Sequence, residues 1–155
     1  MSLTAAKEYL ERRGFGERIR LFDVSSATVE LAALAVGTEP ARIAKSLTFM
    51  VNERPVMILC AGDTRIDNAK YKAYFHKKAK MLSPEEVHTL IGHDIGGVCP
   101  FGINDGVGVY LDESLKRFDK VYPACGTAAS AVELSPGELA GILDDAKWVD
   151  VCRQV

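Results

Sequence analysis

With 155 residues, 48% hydrophobic and 26% charged, the chain has the makeup of one globular domain (1–155) with a sizeable core, which excludes intrinsic disorder. Its net charge of −2 excludes a general nucleic-acid coat protein, which would be strongly basic. No apolar run reaches the length of a membrane span and the start, MSLTAAKEYLERRG, is polar and helix-forming, so the expectation is a cytoplasmic protein with no membrane partner.

In chain order, a helix is predicted over 4–13, ended by Gly14, then a short strand at 18–22. Ser25 or Ser26 caps a helix over 27–36, which Gly37 stops, and Thr38-Glu39-Pro40 opens one more helical turn. The apolar runs 46–51 and 55–61 read as two central strands joined by Asn52-Glu53-Arg54. Asp67 caps a helix over 68–76, and 79–82 is a short strand. Ser83-Pro84-Glu85-Glu86 and Ser135-Pro136-Gly137-Glu138 have the form of capping boxes, opening helices that run to Gly92 and to 144. A glycine-rich loop spans 93–102, with strands at 106–112, 119–125, 128–134 and 147–152. The mixture does not alternate as a doubly wound fold would.

Three segments carry candidate chemistry. Lys45 is expected where a helical turn hands over to a strand. Its ammonium is a compact charge suited to a phosphate or a developing anion, although the spacing alone favours a lysine that merely snorkels to solvent. The loop Gly96-Gly97-Val98-Cys99-Pro100 can aim backbone N–H groups at one point, or be an ordinary turn. Cys125-Gly126-Thr127-Ala128-Ala129-Ser130 offers small side chains that leave room beside a site or pack a tight hairpin. Segment 65–80 carries Arg65, Lys70, Lys72, Lys77, Lys78 and Lys80 against Asp67. That is +5, leaving −7 for the remainder, so a local basic face is available for phosphates, or is simply solvated.

Other readings stay open. Cys99 with His93 and Asp94 suggests a cysteine hydrolase if the three converge. His76, His88, His93 and Asp94 have no recognised metal spacing, and Cys60, Cys99, Cys125 and Cys152 form no C-x-x-C pair, so no metal or cofactor and four free thiols are expected.

Lys45 in A-K-S-L before a strand, Gly96-x-x-x-Pro100, and Gly126-x-x-x-Ser130 leading into VELSP and a final helix together resemble the YbaK-like and prolyl-tRNA-synthetase-associated editing domains, over nearly the whole chain. The resemblance implies an α+β fold with a mixed, partly barrel-like sheet surrounded by helices. It implies a metal-independent aminoacyl-tRNA deacylase that removes a small mischarged residue (alanine, serine, cysteine or similar) from tRNA, with tRNA(Pro) the expected carrier. Prolyl-tRNA synthetase and an elongation factor are the partners it suggests. By the same carry-over Lys45 holds the terminal nucleotide and backbone amides of Gly96, Gly97, Val98, Cys99 and Pro100 hold the ester carbonyl. Phe22, Ser46, Gly126, Thr127, Ala128, Ala129, Ser130 and Ala131 surround the amino acid, and Lys70, Lys77, Lys78 and Lys80 meet the tRNA backbone. The alternative is a non-catalytic module that binds the tRNA acceptor end or a synthetase. Two departures from the family pattern stand out: Ala131 where cysteine-removing members tend to carry an acidic residue, and Phe22 in place of a tyrosine.

Overall fold

The computed structural model describes residues 2–155. Its elements run α1 (Ser2–Arg12), β1 (Ile19–Leu21), α2 (Val29–Val36), β2 (Ile43–Val51), β3 (Arg54–Ala61), β4 (Thr64–Ile66), α3 (Asn68–Phe75), α4 (Pro84–Glu86, continued by a π-helical turn Val87–Ile91), β5 (Gly108–Asp112), β6 (Tyr122–Pro123), β7 (Ser130–Val132), α5 (Pro136–Ile142), β8 (Lys147–Val149) and β9 (Cys152–Gln154).

The two apolar runs form the longest strands and pair antiparallel, from Ala44 opposite Ala61 to Val51 opposite Arg54. Asn52 and Glu53 both take positive φ (51° and 64°), as a two-residue hairpin turn matched to strand twist requires. Around this hairpin a five-stranded sheet assembles in the order β6-β2-β3-β5-β8, with every pairing except β2–β3 parallel. Two short antiparallel ribbons, β1–β7 and β4–β9, extend it into a curled, mixed α+β architecture. Side chains alternate across a strand, so β3 serves two cores at once. Met57 and Leu59 pack with Leu10, Ile91, Phe101 and Leu139, while Ile58 and Cys60 pack with Phe49, Tyr71 and Phe75. A third, smaller cluster joins Ala32 and Ala33 of α2 to Ile43 at the start of β2.

Several elements depart from expectation. Thr28, not Ser25 or Ser26, caps α2, its hydroxyl accepting from Leu31 N–H at 3.1 Å. Strand β2 begins at Ile43, so Lys45 is its third residue rather than its head. Run 79–82 makes a single bridge, Phe49 to Met81, and run 119–125 pairs only at Tyr122–Pro123 and through a Val121–Leu134 bridge. The expected strand 147–152 is two strands. Buried Asp112 accepts Val151 N–H at 2.9 Å, and this bond turns the chain from β8, on β5, into β9, on β4.

Both capping boxes form. In the second, Glu138 accepts Ser135 N–H at 2.9 Å and pairs with Arg18 at 2.8 and 2.9 Å. The Arg18 hydrogen bonds hold the Glu138 carboxyl down at about 2, against an ordinary 4.5. A carboxylate depressed in the folded state adds stability above its unfolded pKa and loses that contribution as pH falls through the folded value. We therefore expect Glu138→Gln to lower Tm at neutral pH and to flatten the decline in Tm between about pH 5 and about pH 2, relative to the unsubstituted protein. A thermal unfolding series over that range checks it.

Candidate active site

A cleft of about 190 Å³ opens where the entrance to α2, the outer edge of β2, the loop at 95–98 and the β6–β7 connection converge. Of the residues expected at the site, it brings together Lys45, Ser46, Gly96, Val98, Ser130 and Ala131. Val29, Ala32, Ile43, Tyr122 and Ala124 are among the other residues of its walls. Sequence reading missed these because they look like ordinary core and strand positions, and only the fold turns them toward one space. A larger cleft of about 520 Å³ lies elsewhere, lined by Tyr9, Arg54 and the acidic Asp105, Asp144 and Asp145. Arg54 and Lys147 do not outnumber its three carboxylates, so the cleft has no excess of positive charge to attract a polyanion, and size alone does not make it the site.

The remaining expected residues support the cleft or lie outside its lining. Gly97 and Gly126 are buried and touch through their backbones, Gly126 N–H donating to Gly97 O at 3.1 Å. A Cβ on Gly97 would sit 2.6 Å from Thr127 N, and one on Gly126, at φ +85°, 2.5 Å from Ser2 O. These glycines fasten the 95–98 loop to the β6–β7 connection and both to α1. Thr127 and Ala128 line a separate depression beside Ser2–Ala5, and Pro100 lines the larger cleft. Phe22 and Ala129 are outside the lining and join β1 to the β6–β7 connection, Phe22 N–H donating to Ala129 O at 2.9 Å.

The polar groups of the cleft are mostly already satisfied. Ser130 Oγ donates to Thr127 O and accepts from Cys125 N–H, while Ser26 Oγ donates to Ser130 O and accepts from Ser130 N–H. Ser46 Oγ is covered and without a partner among the described residues, so Ser46, half-buried, shows the cleft its main chain and Cβ. Lys45 is the single charged residue of the lining, its ammonium donating to Thr64 O.

Backbone donors and acceptors are left over at two places. Among the described residues, the Gly96 and Val98 N–H groups donate to no acceptor, whereas Gly97 N–H is committed to Asp94 O at 3.0 Å. In β2, Thr48 O and Met50 N bond outward to Leu82 and Lys80. By strand alternation the Ser46 main chain also points outward, away from β3. The β2–β6 ladder stops at Ala44 and Pro123, so the next rung, between Ser46 N–H and Ala124 O, is open and faces the cleft.

Cys99 and His93 do meet, with Sγ 3.4 Å from Nε2, but not as a nucleophile and its base. The same Nε2 lies 2.7 Å from Phe101 O, and a carbonyl only accepts, so Nε2 carries the proton and cannot take one from the thiol. Both residues are fully buried. Burial pushes the Cys99 thiol up and the His93 imidazole down, which keeps both neutral. Asp94 turns instead to His88, 2.6 Å away on the surface. His76, His88, His93 and Asp94 are spread over surface and core, and no group of three or more His, Cys, Asp or Glu side chains lies together among the described residues. All four cysteines are buried free thiols.

The basic segment is only partly free. Lys70, on α3, is held by Asp150 at 3.0 Å and by Cys152 O at 3.2 Å, so it braces the fold rather than standing ready for RNA. Lys77, Lys78 and Lys80 are exposed and make no ion pair among the described residues.

A curled mixed sheet, a small and largely apolar cleft with one lysine, and uncommitted amides on the adjoining loop define the site, whose lining holds no histidine, cysteine or carboxylate. The chain belongs to the aminoacyl-tRNA editing domain family, whose model matches residues 24–142. It is 47% identical to YwhH, an uncharacterized protein of Bacillus subtilis (strain 168), over 99% of this chain and 98% of that protein. It is 29% identical to a stretch of the proline–tRNA ligase of Geobacillus sp. (strain WCH70), matching 64% of this chain but only 17% of the ligase. A solved structure described as a candidate trans-editing enzyme for prolyl tRNA synthetase superposes with a TM-score of 0.88 at 34% identity, covering 98% of this chain and 97% of that one.

We expect Gly97→Ala to damage the site more than Cys99→Ala. The first forces apart two backbones that have no spare space; the second removes a neutral, buried thiol with no chemical part. Thermal unfolding and turnover of an aminoacyl-tRNA, measured on both variants, check the ordering. A folded but inactive Cys99→Ala enzyme would return the thiol to the mechanism.

Proposed function

We propose that the protein is a trans-acting deacylase that hydrolyses small mischarged amino acids, such as alanine, serine, cysteine or 2-aminobutyrate, from tRNA(Pro). The observation that carries this reading is the cleft itself: about 190 Å³, walled by Val29, Ala32, Ile43, Val98 and Ala131, with Lys45 as its one charge. The matches to proline–tRNA ligases and to the candidate trans-editing enzyme support the choice of tRNA.

The chemistry asks little of the protein, because an aminoacyl ester is already activated. In the proposed arrangement Lys45 leaves Thr64 O to hold the anionic end of the terminal nucleotide. The uncommitted N–H groups of Gly96 and Val98 face the ester carbonyl oxygen and stabilise the negative charge it gains. The open rung at Ser46 and Ala124 presents carbonyl oxygens to the α-ammonium group. Water attacks the carbonyl carbon, with the free ribose hydroxyl beside the ester placed to relay its proton; the ester C–O bond breaks, and the ribose oxygen leaves with that proton. Positioning and carbonyl polarisation supply the rate, with no covalent enzyme intermediate.

The same inventory sets the expected specificity. Ser26 and Ser130 have spent their hydroxyls on the backbone, and Ala131 brings no carboxylate, so little in the walls reads a polar side chain. Apolar walls separate substrates that differ by one methylene by only about 1–3 kcal/mol. Broad action on small residues follows, with prolyl-tRNA spared because its ring ties back the α-amine and meets the wall.

We expect folded Lys45→Ala to lose at least about tenfold in kcat/KM, roughly 1.4 kcal/mol of transition-state stabilisation. Ala131→Val, which narrows the cleft, should shift preference toward alanine over 2-aminobutyrate. A competition among mischarged tRNA(Pro) species and prolyl-tRNA at equal concentration tests both. Full activity in Lys45→Ala, or rapid cleavage of prolyl-tRNA, would refute the assignment. Binding of tRNA without turnover of any mischarged species would favour the non-catalytic module.

A further inference from the structure

Seven of the nine arginines in the chain are spoken for by the fold, each donating to a carboxylate or a backbone carbonyl or lying within ion-pair distance of an acid. The two left over are Arg65 and Arg153. They are 88 positions apart in the chain, yet the β4–β9 ribbon sets them directly opposite each other. Directly opposed residues of an antiparallel pair project from the same face, so two exposed guanidinium side chains rise side by side from the ribbon. Like charges so placed repel, and no acid among the described residues pairs with either. An anion bridging the two guanidinium groups would offset that repulsion.

The ribbon also fixes where such an anion would lie relative to the cleft. Val155 N–H donates to Asp63 O and Asp67 N–H to Val151 O, so the odd-numbered residues of β4 bond to β9. The Thr64 main chain therefore points the other way, and its carbonyl is the one that receives the Lys45 ammonium. Arg65 is thus one residue from the group that holds Lys45. Lys72 on α3 adds a further exposed cation without an ion pair among the described residues.

We propose that Arg65 and Arg153 form a phosphodiester clamp that takes the RNA backbone as it leaves the cleft. The inference rests on the deacylase reading for the identity of the RNA, but not for the existence of the anion site. Guanidinium groups suit this role because each presents a planar fork of donors to phosphate oxygens. Neither arginine touches the reacting ester, so both are binding residues and the loss on removing them falls in KM rather than in kcat.

The test is uncharged tRNA binding to the full chain, read across a salt series, for the unsubstituted protein, Arg65→Ala, Arg65→Glu and the double variant Arg65→Ala/Arg153→Ala. The double variant should bind about tenfold more weakly, and the slope of log K against log salt should shallow by about 0.7–0.9 for each phosphate no longer neutralised. Arg65→Glu should bind more weakly than Arg65→Ala. Because repulsion is relieved, Tm of the double variant at low salt should hold or rise, which a merely structural role would not allow. With mischarged tRNA the defect should appear in KM, and it should vanish with an aminoacyl ester of adenosine alone, which has no phosphodiester. Unaltered affinity and salt slope in a folded double variant would overturn the clamp, as would no measurable tRNA binding by the unsubstituted protein. If the slope depends on these arginines but no mischarged tRNA is cleaved, the clamp stands and the deacylase reading falls.

Discussion

The contact between Gly97 and Gly126 is the constraint on which the candidate site depends. Two loops approach until backbone meets backbone, with no space for even a methyl group between them. Gly126, at φ +85°, also lies against the first turn of α1, so the N-terminal helix is clamped to both loops. That junction sets the height of the 95–98 loop above β2 and so the width of the cleft. It also explains why the loop can present amides: Gly97 N–H is tied down to Asp94 O, and its neighbours on either side are left free to face a substrate.

A site built this way relies on geometry rather than on reactive side chains. The cleft lining contains one cation, no acid, no histidine and no cysteine. The nearest thiol–imidazole pair lies behind the loop, buried, neutral and bonded to Phe101 O. It holds the loop in shape. The same economy appears in β2, where the ladder to β6 stops at Ala44 and Pro123 and leaves main-chain groups of the next rung unpaired beside the cleft. Such groups cannot be removed by side-chain substitution.

Electrostatics divides the surface. The net charge is −2, yet Arg65, Arg153, Lys72, Lys77 and Lys78 are exposed on or next to β4, β9 and α3 without an ion pair among the described residues, whereas Lys7 and Lys147 stand singly on α1 and β8. The larger cleft carries Asp105, Asp144 and Asp145. The largest group of unpaired cations therefore lies on the ribbon and α3 rather than at the larger cleft.

Much was legible in the sequence. Periodicity and turn residues placed the two long strands and α3. The Ser-Pro-x-Glu pattern placed α4 and α5, because a capping box is a local hydrogen-bond motif that needs nothing from the rest of the chain. The resemblance of the segments around Lys45, Gly96-x-x-x-Pro100 and Gly126-x-x-x-Ser130 to known editing domains pointed to the family. What the sequence could not determine were the long-range matters. Lys70 looks like a phosphate ligand in the sequence, but Asp150, 80 positions on, holds it. Cys99 and His93 look like a reactive pair, but burial and the Phe101 carbonyl make them inert. The strand break at Asp150 depends on Asp112 reaching across to Val151 N–H. The facing of Arg65 with Arg153, and the turning of Val29, Ala32 and Ile43 into one pocket, exist only once the sheet has curled. Local structure follows from hydrogen bonds and torsions that neighbouring residues decide among themselves. The cleft and its charges follow from which distant backbones the core brings together.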